Sequence, residues 1–95
     1  MIVERWTWKV KIGCRAEVIQ LAKAAIAEAG LTPRICSFIF GPYDIVSSDL
    51  EFESEEDRQE WWASLDWSQP GLAEWRKKEP ELLVSGTSHE LLHVH

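Results

Sequence analysis

Between Ser37 and Glu53 two runs of apolar and β-branched residues flank a Gly41-Pro42 pair. That combination reads as a hairpin, with one strand ending near Phe40 and the next running back to Glu53. Pro42 has a fixed φ and no N–H, so it suits the turn and would break a central strand. Both arms carry apolar residues at both parities: Phe38 and Phe40 against Ile39, then Val46, Leu50 and Phe52 against Tyr43 and Ile45. A strand apolar on both sides is expected to be covered on both sides.

The rest of the chain supplies partners for this hairpin. Ile2 to Ile12 alternates, with Ile2, Trp6, Trp8, Val10 and Ile12 on one face and Val3, Arg5, Thr7, Lys9 and Lys11 on the other. Period two over this length predicts a strand, and Glu4 is the polar exception on its apolar face. Arg15 to Ala29 predicts a helix with a stripe of Val18, Leu21, Ala22, Ala25 and Ala29, closed by Gly30. Ser54, followed by Glu55, Glu56 and Asp57, is a helix start with a capping side chain and acids in the first turn. Trp61, Trp62 and Leu65 follow on the apolar face with Arg58. Pro70 opens a second short helix, which Pro80 is expected to stop. Leu82 to Val94 reads as a last strand with a break near Ser85-Gly86.

The order β-α-β-β-α(α)-β predicts an α+β, ferredoxin-like domain over residues 1–95, a four-stranded antiparallel sheet with its helices on one face. Right-handed crossovers place the first strand in the middle, beside the third. The other face of the sheet, apolar by the reading above, then calls for a second copy of the chain in an isologous dimer.

Composition narrows the function classes. The formal net charge is −6 and there is no Lys/Arg stripe, which argues against nucleic acid and anionic membrane surfaces as partners. No apolar run approaches the ~20 residues of a membrane span, and the chain opens directly into a strand pattern rather than a secretion signal. Cys14 and Cys36 lack a metal or redox spacing and read as reduced thiols of a cytoplasmic protein. No phosphate loop, nucleophile elbow, zinc-protease signature or dinucleotide fingerprint is present, and no cofactor is expected.

Several stretches resemble the NIPSNAP-type proteins of the dimeric α/β-barrel superfamily. Met1-Ile-Val-Glu4, Thr7-Trp8 and Lys11-Ile-Gly13 before a helix are similar to their first strand. Gly41-Pro42-Tyr43-Asp44-Ile-Val and Leu50-Glu-Phe-Glu-Ser54-Glu-Glu resemble their hairpin and second helix. The resemblance implies a homodimer of ferredoxin-like protomers with a cavity. Its wider relatives include cofactor-free monooxygenases, haem-degrading enzymes, small-molecule isomerases and proteins of no known activity. An Arg usual on the first strand is Trp6 here, and the Pro of a Pro-Gly pair is Ile12.

The candidate chemistry falls on a short set of residues. Glu4 with Trp6 and Trp8 is one constellation: periodicity puts it under the helices, whereas the resemblance turns it toward a cavity. A Trp-lined pocket with one carboxylate would bind a flat apolar or aromatic ligand. Phe38 and Phe40 are further ligand-contacting candidates. Tyr43, beside Asp44 at the turn, and His89 are candidates for moving a proton, while Asp44 also fits plain turn chemistry. His89, His93 and His95 share a parity that could bring imidazoles together, but no third ligand type stands near them in sequence, so a metal is not expected. Trp61, Trp62, Trp67 and Trp75 read as packing. Three functions remain open: a homodimer with an apolar cavity and unassigned activity, a cofactor-independent monooxygenase or isomerase for an aromatic or polyketide-like molecule, and a non-catalytic assembly module. A ligand-sized space at Glu4, Tyr43 or His89 favours the enzyme, and a space filled by Trp rings favours the assembly module.

Overall fold

The computed structural model describes residues 1–38, 44–84 and 88–95. The elements are β1 (Ile2–Lys9), α1 (Arg15–Glu28), β2 (Ile35–Ser37), β3 (Ile45–Phe52), α2 (Glu55–Ser64), α3 (Pro70–Leu82) and β4 (Ser88–His93). All strand pairs are antiparallel and the sheet order is β2-β3-β1-β4. The chain therefore has the ferredoxin-like fold, with β1 central beside β3 as the crossover argument requires. The Gly41-Pro42 turn, with Ile39, Phe40 and Tyr43, lies outside the described residues.

Register sets which residues share a face. Glu4 stands opposite Leu50 and Leu91, Trp6 opposite Ser48 and His89, and Trp8 opposite Val46. These side chains point to the helical layer. Trp8, Val10, Val46, Leu82 and Leu83 pack there with Val18 and Ala22 of α1. The small residues of α1 let that helix lie close on the sheet. It ends in a Schellman motif: Gly30, at φ +89°, donates its N–H to Ala27 O, and Leu31 donates to Ile26 O. Ser54 caps α2 by accepting the Asp57 N–H at 3.2 Å. Helices α1 and α3 are clipped together where a Glu28 carboxylate oxygen accepts the Gly71 N–H at 2.5 Å. A Cβ on Gly71 would stand 2.1 Å from that oxygen, so glycine is what permits the approach.

Two expectations are corrected. Pro80 does not stop α3, which continues to Leu82. A proline in the last turn forfeits only the bond to the residue 76 carbonyl, and the extra residues bury Leu82 and Leu83 in the core. The last strand is accordingly short, Ser88–His93. Of the segment before it, Leu83 forms an isolated bridge to Val10 and Val84 donates its N–H to Lys9 O.

The second correction concerns the sheet face turned away from the helices, which is mainly polar. Beyond Ile45, β3 presents Ser47, Asp49 and Glu51 there. Arg5 grips Asp49 through two bonds of 2.8 and 3.0 Å, and Arg34 pairs with Glu51 at 2.7 Å. The Arg5 hydrogen bond holds the Asp49 carboxyl below its usual range. Among the described residues, apolar side chains at these positions are scattered, with Val3 almost fully buried, and Ile39, Phe40 and Tyr43, on which the apolar reading also rests, lie outside the described residues.

Candidate functional site

Glu4 is the polar exception of β1, and its side chain is fully buried. A carboxylate withdrawn from water needs several donors. It has them from two other elements. Trp62 of α2 donates its indole N–H to Oε1 at 2.7 Å. Arg58, one turn earlier on the same helix, donates from Nε to Oε1 at 3.0 Å and also bonds Glu55 at 2.9 Å. His89 of β4 brings Nε2 within 2.5 Å of Oε2. The Glu4 hydrogen bond raises the pKa of Arg58, so this guanidinium stays charged.

His89 is also stacked on Trp6, with ring centroids 3.8 Å apart and planes 9° from parallel. The register explains both contacts. His89 pairs directly with Trp6, and Glu4 is the next same-face residue on β1. The His89 side chain is 36% exposed, so the ring bridges a buried carboxylate and solvent. It borders a cleft of about 410 Å³ lined by Glu4, Trp6, Arg58, Gln59, Trp62 and His89.

A second cleft, of about 390 Å³, lies on the other side of Trp6 and Trp62, bounded also by Trp8, Trp67, Trp75, Arg76 and Glu79. Trp62 and Trp67 stack with centroids 6.4 Å apart, and the Arg76 guanidinium lies 5.3 Å from the Trp67 ring centre. Trp67 sits in a turn whose Asp66 carboxylate accepts the Ser68 N–H and hydroxyl at 3.0 and 2.6 Å, which holds the Asp66 carboxyl below its usual range. Both are open surface hollows of the volume of a small molecule, the one beside His89 the more open. The gap beneath the helices among Ala22, Ala25, Ile26 and Leu50 holds only about 80 Å³. There the Trp rings fill the space, and the two hollows at the surface are larger.

The residues singled out from the sequence divide cleanly. Glu4, Trp6 and His89 come together in one cluster. Trp8 is 6% exposed; it packs edge-on against Trp75 at 5.1 Å and touches only the second cleft. Phe38 stands exposed past the end of β2 and lines neither cleft. Tyr43 and Phe40 lie outside the described residues. His93 and His95 have ring centroids 6.4 Å apart, and among the described residues no three His, Cys, Asp or Glu side chains cluster as a metal site. Cys14 and Cys36 are free thiols. Trp62 reads as packing from the sequence and Arg58 only as a cation beside the apolar helix face, yet both complete the Glu4 site. The signal was available: a lone acid on an apolar strand face asks for the one cation on an apolar helix face.

No protein-family model matches the chain, and no protein of curated function matches it in sequence. Solved structures do. A NIPSNAP domain protein from Burkholderia xenovorans superposes with a TM-score of 0.77 at 15% identity, over 100% of this chain and 95% of the other. A NIPSNAP family protein from Agrobacterium tumefaciens gives 0.76 at 17% identity, over 99% and 85%. A Nitrosomonas europaea protein proposed to be an antibiotic biosynthesis monooxygenase gives 0.73 at 8% identity, over 99% and 98%. The chain is thus an α+β protein of the ferredoxin-like fold, similar throughout its length to the NIPSNAP domain. At these identities the likeness defines the fold.

Proposed function

We propose that this protein binds a flat aromatic small molecule in the surface hollow beside His89 and moves a proton on it. The reaction is of the isomerase or cofactor-independent oxygenase type, both of which begin by removing an acidic hydrogen. The observation that carries the reading is the His89–Glu4 pair at the cleft. With Nε2 held by the buried carboxylate, Nδ1 is the ring nitrogen left to accept a proton, and Glu4 is placed to stabilise the imidazolium that forms. Trp6 fixes the plane of the imidazole, and Arg58 with Trp62 fixes the carboxylate.

The test is hydrogen exchange at C1 of 2-tetralone in deuterated buffer, a bicyclic carbon acid followed by NMR. The protein should accelerate exchange. His89→Gln, whose amide can keep a bond to Glu4, should lose about 10²-fold of that acceleration, the usual share of a general base. Exchange no faster than in buffer would sink the reading.

We further propose that two copies meet through the uncovered sheet face. The helices occupy the opposite side, and the partly exposed Ile45 and Leu92 with the Arg5–Asp49 pair would lie at such an isologous contact. Light scattering should give twice the 11.0 kDa chain mass. A monomer at micromolar concentration would rule this out.

A further inference from the structure

The second cleft has a charge feature that the proton-transfer reading leaves unused. Arg58, the cation of the first cleft, is committed to Glu4 and Glu55. Arg76 differs. It is exposed, lies against the Trp67 ring, and makes no ion pair among the described residues. A guanidinium held over an indole face by its charge still has N–H groups to offer an acceptor. Beside it stand Trp6, Trp62 and Trp75, so apolar ring faces and one unpaired fork of donors converge on about 390 Å³.

From this we propose that the cleft is the subsite for an anionic group on the ligand: the substrate class is an aromatic carboxylate, its ring against Trp6 and Trp62, which border both clefts, and its carboxylate on Arg76. The inference rests on the reading that the protein takes an aromatic molecule and adds what that molecule carries. A cationic ligand is disfavoured at this position because Arg76 already covers the Trp67 face that would receive it. Glu79 also borders the cleft and would repel a carboxylate set beside it, so the ligand's carboxylate belongs at Arg76.

The probe pair is 2-naphthoate and 2-naphthamide, equal in shape and different in charge, titrated by quenching of Trp fluorescence. The unmodified protein should bind the naphthoate about tenfold tighter, the worth of one charge-assisted hydrogen bond at a partly exposed site. In Arg76→Gln the two affinities should converge, and Arg76→Lys should keep part of the preference, retaining charge without the planar fork. Equal affinities in the unmodified protein would overturn the inference. So would a preference that survives Arg76→Gln, or tighter binding of 2-naphthylmethylammonium. These outcomes are separable from failure of the proton-transfer reading. Loss of tetralone exchange with the naphthoate preference intact removes the reaction and leaves the subsite. Exchange without a charge preference does the reverse.

Discussion

Replacing Glu4 with alanine is expected to destabilise the protein by about 3 kcal/mol, read as a fall in the urea midpoint at unchanged slope. The reason is not the loss of attraction alone. The carboxylate is the common acceptor for Arg58, Trp62 and His89, and its removal leaves a guanidinium whose side chain is only 17% exposed with the more exposed Glu55 as its remaining carboxylate partner. A poorly exposed cation stripped of its buried acceptor costs more than the intact pair contributed. The double variant Glu4→Met, Arg58→Met should therefore recover much of the loss, because no charge is left stranded. It should also abolish tetralone exchange, separating the two roles of the carboxylate. A Glu4→Ala protein within about 0.5 kcal/mol of the parent would show that water reaches the site and replaces the carboxylate.

The second large effect is expected at Trp8. Its ring is 6% exposed and packs with Val10, Val18, Val46, Leu82 and Leu83, with Trp75 edge-on. Trp8→Ala should cost about 3–5 kcal/mol, a large share of the ~5–15 kcal/mol available to a small domain. Trp6→Ala should cost clearly less, since that ring is half-buried and borders both clefts, but it should lower affinity for either naphthalene probe. Thermal unfolding of the two variants side by side decides the assignment. Equal losses would mean that Trp6 is core as well.

The two rings illustrate how far the sequence carries. Alternation along β1 places Glu4, Trp6 and Trp8 on one face without any structure, because a strand allows nothing else at period two. Which of the two Trp rings is buried depends on Trp75 and Leu83, which lie more than sixty residues away and arrive by folding. His89 could be named as a proton carrier from its chemistry. Its pairing with Glu4 depends on the antiparallel register of β1 and β4, which no local pattern specifies. The errors have the same origin. Pro80 obeys a local rule for breaking helices, and that rule yields when two Leu side chains gain burial by extending the helix. The face away from the helices reads as apolar from the two hairpin arms, Phe38, Ile39 and Phe40 on one and Tyr43 and Ile45 on the other. Its next positions, Ser47, Asp49 and Glu51, were polar all along, and period two would have shown it.

The clip between Glu28 and Gly71 ties α1 directly to α3. Helix α2 is held differently. It has no fully buried residue, and it is moored by the Trp61 bond to the Ala29 carbonyl, by the ring contacts of Trp61 with Phe52 and Trp62 with Trp6, and by the two donors that reach Glu4. The second cleft draws its lining from both, Trp62 from α2 and Trp75 and Arg76 from α3. A single carboxylate on the central strand thus holds in place an indole that borders both clefts, so one buried charge supports two neighbouring surfaces at once.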